Sequence, residues 1–428
     1  MDVAILAGGK GTRLGLINKP KSMVDFEGLP LIHRQIIKID NYKAIKRVFV
    51  LIGYLGNFIK EYFEDKNFKN LKVFFIEELE PLGTAGAIKQ ISKLISDRFF
   101  VIYGDTYFDI DINRFLKFDK LMNSDYGTLF IHPNDHPYDS DLVEIENQLI
   151  KKFIPKPHGK CTIYRNYANA AFYILSKKIF ELQVDFKNKD LGRDIFPMLP
   201  KDSFAAYLSS EFIKDVGTKE RLIKTLSIYK SGIPKLSNLK NKQPAVFLDR
   251  DGVINYEQQP FVNKNNFKLY EDLVGFLQHV RKKHFLIFVV TNQPVIAKGF
   301  ISIKELEVIH AKMEKSLLKK GLYFDEIVFC PHHPDKGFPG EIKKYKVNCN
   351  CRKPKNQMIM KLINHYNINI EKSVLIGDRY RDVKAGKNSG LKTVLLTRGL
   401  NGNDRDLFPN AEPDFIFNSL TDVKRIIN

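Results

Sequence analysis

The sequence lacks any hydrophobic run long enough to cross a lipid bilayer. Its apolar stretches, such as residues 285–290, are far shorter than the roughly 20 residues that a transmembrane helix requires. It also shows no secretory signal, because Met1 and Asp2 lead directly into a short apolar stretch and a glycine-rich loop. These absences exclude an integral membrane protein of the helical class and predict a cytoplasmic enzyme.

Cysteine is scarce, with four residues in a chain of 428. Three of the four lie close together, between Cys330 and Cys351. Too few cysteines are present for a disulfide framework, and in a reducing compartment such a cluster favours metal binding over disulfides.

Acidic residues are outnumbered by basic ones, 49 against 68, which gives a formal net charge of +19. Such an excess indicates either an anionic partner or lysines spread over solvated faces, and we favour the second as the main cause, with a contribution from phosphate-binding sites. The sequence has no basic run, zinc finger or aromatic RNA-binding signature. A nucleic-acid partner is therefore not expected.

The chain is too long for one ordinary hydrophobic core, and its hydrophobic content of 44% is enough for two. A polar, proline-bounded stretch without a clean apolar period lies between the halves. We predict one domain over residues 1–232, a linker over 233–244 and a second domain over 245–428.

A glycine-rich loop follows the first apolar stretch, residues 2–7. Glycines there let the backbone approach a phosphate and direct its N–H groups at it, while Lys10 and Arg13 supply positive charge. The loop is not a dinucleotide-binding fingerprint, because Leu14 stands at the third glycine position. It is not a P-loop either, because the Gly-Lys-Ser/Thr ending is missing. The residues that we expect at a nucleotide here are Leu6, Gly8, Gly9, Gly11, Thr12, Arg13 and, from the next cationic segment, Lys21.

Strand-like and helix-like segments then alternate through the first half. Gly83 and Thr84 open a predicted helix with the apolar face Ile88, Ile91, Leu94 and Ile95, and small residues at its start would let a flat ring lie close to the backbone. The strand 99–103 ends in Gly104 and Asp105. Repeated units of this kind predict a mostly parallel sheet with ligands at the carboxyl edge of its strands.

The glycine-rich loop, residues 19–21, residues 83–86 and Gly104-Asp105, in this order, resemble the sugar-1-phosphate nucleotidyltransferase family. The resemblance, which covers roughly residues 1–230, implies that a sugar 1-phosphate attacks the α-phosphate of a nucleoside triphosphate. By the family's pattern Asp105 and Asp215 would hold Mg²⁺, and Arg13 and Lys21 would neutralise the phosphates.

Two motifs depart from that family's pattern. Pro155-Lys156-Pro157 stands where the family often has Glu-Lys-Pro, and Asn169-Ala170-Ala171 stands where it often has Asn-Ala-Gly. We expect Lys156 and Asn169 to contact the sugar phosphate. The simpler alternatives are that Asp105 is a turn residue and that Asp215 caps a helix.

In the second half, the apolar run 245–248 stops at two carboxylates, Asp249 and Asp251. Later strand-like runs end at Thr291-Asn292 and at Asp378, so each polar motif falls at the carboxyl end of a strand. Two acids at this spacing can divide nucleophilic attack from proton transfer, and burying them implies Mg²⁺.

This second set of motifs resembles the haloacid dehalogenase-like phosphatases. The resemblance implies that Asp249 is the nucleophile and Asp251 the acid and base. It further implies that Thr291 and Lys353 hold the phosphoryl group, with Asn292 beside them, and that Asp378 completes the Mg²⁺ shell with Asp249 and Asp251. Asp382 would support this shell from behind.

Cys330, His332, Cys349 and Cys351 form two close pairs of soft or borderline ligands. Four such ligands match a closed, structural Zn²⁺ site, and the alternative is ordinary core cysteines beside a surface histidine. His333 lies outside the pairing pattern. With Arg352 and Lys353 directly after Cys351, this loop resembles that of the heptose bisphosphate phosphatases and the related histidinol-phosphate phosphatases. Arg352 is then a candidate contact for a second phosphate or for the anomeric position, and the alternative is an ordinary surface arginine.

The two resemblances together imply a fold class of two doubly wound α/β domains: a Rossmann-like nucleotidyltransferase sheet, then a haloacid dehalogenase-like sheet with a zinc loop. They imply a bifunctional enzyme that removes the C7 phosphate of a heptose 1,7-bisphosphate and transfers a nucleotidyl group, by analogy GMP, to the heptose 1-phosphate. The expected partners are sugar phosphates and a nucleoside triphosphate. The alternatives are histidinol phosphate or another sugar phosphate as substrate, or a non-catalytic binding role for one half.

Overall fold

The computed structural model describes residues 1–11, 14, 18–159, 163–258, 263 and 265–427. Its internal contacts divide the chain into two compact units. The first comprises Met1–His132, Pro137–Gly159 and Tyr167–Asn238. The second comprises Leu239–Asn428 together with Pro133–His136 and the described part of residues 160–166.

Seventeen strands are present in the described residues, ten of them up to residue 208. In chain order they are β1 Asp2–Leu6, β2 Arg47–Ile52, β3 Lys72–Glu77, β4 Arg98–Tyr103, β5 Thr106–Asp109, β6 Gly127–His132, β7 Leu142–Glu146, β8 Leu149–Ile154, β9 Ala168–Ser176, β10 Phe204–Leu208, β11 Phe212–Asp215, β12 Ala245–Leu248, β13 Leu286–Asn292, β14 Glu326–Cys330, β15 Val374–Gly377, β16 Lys392–Leu396 and β17 Phe415–Phe417.

Eleven α-helices accompany these strands in the same part of the chain. They are α1 Leu31–Asp40, α2 Gly56–Phe63, α3 Gly83–Gln90, α4 Ile112–Met122, α5 Lys219–Lys230, α6 Ile233–Leu236, α7 Leu273–Lys282, α8 Ile303–Leu318, α9 Gln357–His365, α10 Tyr380–Asn388 and α11 Leu420–Val423. Within the described residues, no helix is both long and apolar enough to span a membrane.

The first unit is built on a nine-stranded sheet with the order β3-β2-β1-β4-β9-β6-β10-β8-β7. The four strands from β3 to β4 are parallel, as predicted, and α1 buries the face predicted from its apolar spacing. Aliphatic and aromatic side chains pack on both faces of the sheet. Leu94, predicted on the apolar face of α3, is half exposed instead, because α3 ends at Gln90 and the chain turns before Leu94.

The rest of this sheet is mixed, which corrects the prediction of a mostly parallel sheet. Strand β9 pairs antiparallel with both β4 and β6, and β7 and β8 form a hairpin. The two residues between β7 and β8, Asn147 and Gln148, both have positive φ. A two-residue turn of this type joins antiparallel strands, so this part of the sheet could not be parallel.

A separate two-stranded ribbon pairs β5 with β11 in antiparallel register. Thr106 lies opposite Asp215, and the Val216 amide donates to the Asp105 carbonyl at 2.8 Å. The ribbon therefore places the chain positions of Asp105 and Asp215 side by side at the end of β4.

The second unit is built on a six-stranded, fully parallel sheet with the order β14-β13-β12-β15-β16-β17. Its central strand, β12, is completely buried and pairs on one side with β13 and on the other with β15. Two clusters of buried side chains cover the two faces. The carboxyl ends of β12, β13 and β15 therefore meet at one edge, as the sequence predicts.

The stretch predicted as the linker, residues 233–244, begins with the short helix α6. Asn238, which follows it, donates to Asp109 Oδ1 at 2.8 Å within the first unit. The division between the units lies just beyond this contact, between Asn238 and Leu239. The C-terminal stretch closes the second sheet with β17 and α11.

Candidate active sites

The edge at which β12 ends carries the two acids that the sequence analysis singled out. The Asp249 amide donates to the Ile376 carbonyl of β15 at 3.0 Å, so the backbone holds Asp249 between β12 and β15. Asp378, Asp382 and Asp249 each offer a carboxylate oxygen within 4.8 Å of the others. Asp382, predicted to lie behind this group, is thus one of its members.

Burial and the charges of Asp249 and Asp382 raise the pKa of Asp378 to about 8. The same causes, burial and the charge of Asp249, outweigh Lys353 and raise the pKa of Asp382 to about 6. Asp378 Oδ1 is buried and has no hydrogen-bond partner in the structure. An orphaned carboxylate oxygen between two other carboxylates has the donor chemistry that a hard divalent cation such as Mg²⁺ requires, so these residues fit the predicted ion.

Lys353 is the cation of this group. Its Nζ lies 3.0 Å from Asp249 Oδ1 and 2.7 Å from Asp382 Oδ1, and it also donates to the Val290 carbonyl. Burial acts to lower the pKa of Lys353, but the two carboxylates outweigh it and raise the pKa. Lys353 is therefore charged at neutral pH and stands beside the predicted nucleophile.

Thr291 and Asn292 end β13 at the same edge. The Thr291 hydroxyl accepts from Gln293 Nε2 at 2.9 Å. Asn292 exchanges two hydrogen bonds of 3.0 Å with the Lys353 backbone, one in each direction. Predicted as a substrate contact, Asn292 thus also fixes the backbone that presents Lys353.

A cavity of about 180 Å³ opens over this group. Asp249, Asp251, Thr291 and Lys353 line it, together with five further cations: Arg250, Lys298, Arg352, Arg379 and Arg381. Arg352 also donates to the His332 carbonyl at 3.3 Å, so the cysteine-rich loop presents it. A small cavity lined by this many cations suits a substrate with more than one phosphate.

Several members of this site were missed by the sequence analysis. Arg250, Gln293, Arg379 and Arg381 all stand directly beside residues that were named. Their position next to polar residues at strand ends was an available signal. His310, whose Nε2 lies 3.3 Å from Arg250 Nη1, had no such signal, because it lies in the middle of α8.

The four predicted zinc ligands converge in the structure. Cys351 Sγ lies 3.2 Å from the sulfurs of both Cys330 and Cys349 and 3.3 Å from His332 Nδ1. Hydrogen bonds, first from Cys330, lower the pKa of Cys351 to about 5. The three cysteines are not joined in disulfides. A thiolate, two further sulfurs and an imidazole nitrogen fit Zn²⁺, and His333 lies outside the group, as predicted.

The first unit gathers its predicted residues where β1 and β4 end. Leu6 lies opposite Tyr103 in the parallel pairing, which brings Gly8 and Gly104 to one edge. Lys21 forms an ion pair with Asp105. A Cβ on Gly217 would lie 3.0 Å from both Lys21 Nζ and Asp215 Oδ1, so the three charged groups are neighbours.

Asp215 is held by an arginine that the sequence analysis did not name. Arg221 Nη1 donates to both Asp215 oxygens at 2.8 Å. Burial acts to raise the pKa of Asp215, but Arg221 outweighs it and the pKa lies below its ordinary value. Thr218, and not Asp215, caps α5, which argues against the simple capping role.

Lys156 belongs to the same ionic network. Its Nζ lies 3.2 Å from Asp139 Oδ1, and Asp139 Oδ2 accepts from Arg221 at 2.8 Å. Asn169 is further along the chain, where its side chain accepts from the Ala171 amide at 3.0 Å. The structure thus links Lys156 to Asp215 through Asp139 and Arg221.

Gly83 and Thr84 have clear packing roles. Gly83 has a φ of +71°, and a Cβ there would overlap the Lys189 carbonyl. Thr84 Oγ1 donates to Asp190 at 3.0 Å and accepts from the Leu191 amide at 2.8 Å. Of the loop residues, Gly8, Gly9 and Gly11 are described, whereas Thr12 and Arg13 lie outside the described residues.

Comparison with known families and proteins distinguishes the two units. The family model described as nucleotidyl transferase matches residues 3–232, more than half of the chain. A model described as HAD-hydrolase-like matches residues 350–423. The "D-glycero-beta-D-manno-heptose-1,7-bisphosphate 7-phosphatase" of Yersinia pestis is 32% identical over 184 residues, which are 43% of this chain and 95% of that protein. The chain belongs to the nucleotidyl transferase family and, through its second unit, to this phosphatase family.

Two solved structures resemble one unit each. HddC from Yersinia pseudotuberculosis is 30% identical, with a TM-score of 0.46, and covers 53% of this chain and 99% of its own. The D,D-heptose 1,7-bisphosphate phosphatase from B. bronchiseptica, solved with magnesium and phosphate, is 27% identical, with a TM-score of 0.37, and covers 43% of this chain and 97% of its own.

Proposed function

We propose that this chain is a bifunctional, cytoplasmic enzyme of nucleotide-activated heptose synthesis. Its phosphatase unit removes the C7 phosphate of D-glycero-D-manno-heptose 1,7-bisphosphate. Its nucleotidyl transferase unit joins the resulting heptose 1-phosphate to GMP from GTP. One observation carries the proposal: a unit that aligns with 95% of the length of a heptose bisphosphate phosphatase is fused to a nucleotidyl transferase unit.

The phosphatase reaction takes place in two steps. In the first, a carboxylate oxygen of Asp249 forms a bond to phosphorus, the bond from phosphorus to the C7 oxygen breaks, and Asp251 protonates that oxygen. In the second, water attacks the phosphorus, Asp251 takes its proton, and the bond to Asp249 breaks to release phosphate. Lys353 and Thr291 hold the phosphoryl oxygens, since they flank Asp249 at the cavity.

The residues of this unit suit two metal ions. Asp249, Asp378 and the Asp251 backbone carbonyl would hold Mg²⁺, which would supply charge neutralisation at the phosphoryl group. Cys330, His332, Cys349 and Cys351 would hold Zn²⁺, and that ion would be structural, because protein ligands would fill all four positions.

Arg352 selects for the second phosphate of the substrate. It lines the cavity, and burial together with the charge of Arg381 lowers its pKa, so an additional anion is favourable there. We expect Arg352→Gln to raise KM for the 1,7-bisphosphate about tenfold and to change KM for the 7-monophosphate little. Equal changes for the two substrates would remove this role from Arg352.

The transferase unit uses its strand edge for in-line displacement. An oxygen of the sugar 1-phosphate forms a bond to the α-phosphorus, and the bond to the bridging oxygen breaks, so that pyrophosphate leaves. Asp105 and Asp215 would hold Mg²⁺, Lys21 and Arg13 neutralise the phosphates, and Lys156 binds the sugar phosphate. Glycines 8, 9 and 11 and the start of α3 form the nucleotide side.

The direct test supplies heptose 1,7-bisphosphate with Mg²⁺ and each nucleoside triphosphate in turn, followed by mass spectrometry of the products. We expect phosphate release in every mixture and a sugar nucleotide with GTP. Absence of phosphate release would remove the phosphatase assignment, and absence of any sugar nucleotide would remove the transferase assignment.

Variants separate the two activities within the full chain. Asp249→Asn should abolish phosphate release and spare nucleotidyl transfer to supplied heptose 1-phosphate, and Asp105→Asn should do the reverse. Asp125→Asn is the matched control, because Asp125 is exposed and pairs only with exposed Lys178 among its described contacts. Activity that survives its own substitution contradicts that site assignment and favours a binding role for that unit.

A further inference from the structure

Arg250, which stands between Asp249 and Asp251 in the sequence, has a buried side chain. Arg250 is only 1% exposed, although arginine is among the residues most costly to bury without a partner. Its Nε donates to Asp251 Oδ1 at 3.1 Å, and its Nη2 donates to both Asp251 oxygens at 2.9 Å. The planar guanidinium therefore holds the plane of the Asp251 carboxylate, as the rigid geometry of the fork requires.

Both terminal nitrogens of Arg250 also contact other side chains. Nη2 also donates to Gln293 Oε1 at 3.1 Å, and Nη1 lies 3.3 Å from His310 Nε2. A guanidinium can only donate, so Nε2 of His310 accepts, and the imidazole is neutral with its proton on Nδ1. His310 is completely buried on α8. A helix of 16 residues thus supports the far side of Arg250.

Neutral donors complete the surroundings of Asp251. Gln293 Nε2 donates to Oδ2 at 2.8 Å, and Asn255 Nδ2 donates to Oδ1 at 2.9 Å. Gln293 accepts from Arg250 and donates to Asp251, so one amide links the two charged groups. Within the described residues Arg250 is the only cation paired with Asp251, and it fixes the carboxylate more firmly than either amide can.

We propose that Arg250 is a positioning residue for Asp251, and that His310 positions Arg250. Arg250 holds the Asp251 carboxylate in the one orientation from which it exchanges a proton with the leaving oxygen and then with water. Arg250 does not exchange the proton itself, because a guanidinium stays protonated at any pH at which the protein is folded. This role rests on the proposed function, in which Asp251 is the acid and base.

The test compares two substrates whose leaving groups differ in their need for a proton. The alkoxide of a sugar leaves only when it is protonated, whereas p-nitrophenolate leaves without help. Because both substrates share the later attack of water, the comparison uses the single-turnover rate of leaving-group release and not kcat. We expect Arg250→Lys to lower that release rate for the heptose bisphosphate on the order of 100-fold, to lower it for p-nitrophenyl phosphate much less, and to change KM little. A purely structural role would lower both release rates equally and would overturn the proposal.

Two further variants keep the test decisive. Arg281→Lys is the matched control, because Arg281 lies in the same unit, away from the cavity, and pairs with buried Asp325 at 2.9 Å. It should leave the ratio of the two release rates unchanged. If Arg250→Lys fails to fold, His310→Leu, which removes the acceptor of Nη1, should shift the ratio in the same direction by about tenfold. No shift with His310→Leu would overturn the proposal.

The outcome also separates this proposal from the proposed function. Asp251→Asn should abolish turnover of the sugar phosphate, and if it does not, the role of Asp251 is wrong. If Asp251→Asn is inactive while Arg250→Lys lowers the release rates of both substrates equally, only the positioning role of Arg250 fails.

Discussion

Gly252 and Asp378 lie so close together that a Cβ on Gly252 would overlap the Asp378 carboxylate. Gly252 also has a φ of +80°, a conformation that side chains disfavour. The turn after Asp251 can therefore approach the carboxylate group only with glycine at this position.

We expect Gly252→Ala to lower phosphatase activity by more than about 100-fold, because the new methyl group displaces Asp378, and to spare nucleotidyl transfer. Steady-state kinetics of both reactions on the full chain measure this. Gly321→Ala is the control, since Gly321 has a similar φ of +69° with no atom within 4 Å of its Cβ position. Equal losses in the two variants would show that backbone strain, and not the overlap, is the cause.

The cysteine cluster predicts one zinc ion for each chain. We expect Cys349→Ser to lower the zinc content, measured by elemental mass spectrometry, from one to near zero, and to lower the melting temperature, because metal-binding energy stabilises the loop. His333→Asn should keep the zinc, since His333 lies outside the cluster. A wild-type protein without zinc after expression in zinc-containing medium would contradict the assignment.

The backbone conformation of Ala171 leads us to predict that a substitution at this position stabilises the transferase unit. Its φ is +54°, and it lies in β9 where three residues, 170–172, stand opposite one residue of β6. We expect Ala171→Gly to raise the free energy of unfolding by about 0.5–1 kcal/mol, because alanine is strained at positive φ. Ala170→Gly, at ordinary φ in the same strand, should lower it by a similar amount. Denaturant titration of both variants tests the sign.

His310 predicts a pH dependence of stability. Burial, and then the charges of Arg165 and Arg250, hold its pKa well below the ordinary value of 6.5. As pH falls through 6.5, the unfolded chain binds a proton that the folded protein does not, so the free energy of unfolding decreases, by at most about 1.4 kcal/mol per pH unit.

We expect this decrease between about pH 7 and pH 5 to be smaller in His310→Gln than in the wild-type protein, because glutamine does not titrate. Denaturant titrations at several pH values in the same buffers measure it. Parallel curves for the two proteins would mean that the pKa of His310 is the same in the folded protein as in the unfolded chain.

Much of the architecture followed from strand ends in the sequence. The apolar runs before Asp105, Asp249, Thr291 and Asp378 are long enough to define strands, and parallel strands bring their carboxyl ends to one edge. The zinc ligands were equally visible, because their spacing of one residue within each pair brings two donors together before any tertiary contact forms.

Other features depend on contacts that local sequence does not encode. Arg221 reaches Asp215 from the next helix, and His310 meets Arg250 across 60 positions of sequence. Thr84, predicted at the nucleotide, also has a hydroxyl that ties α3 to Asp190, a contact that the local sequence does not show. The antiparallel part of the first sheet depended on β9, whose partners β4 and β6 are set by packing and not by its own pattern.

The ribbon of β5 and β11 joins Asp105 to Asp215 across more than a hundred intervening positions. During translation, the first acid leaves the ribosome long before its partner exists. A nascent chain that stops before β11 can complete the four parallel strands and still have no acid pair. If the acid pair acts as proposed, we expect a chain that ends before β11 to transfer no nucleotide, so the transfer reaction would wait for this strand to emerge.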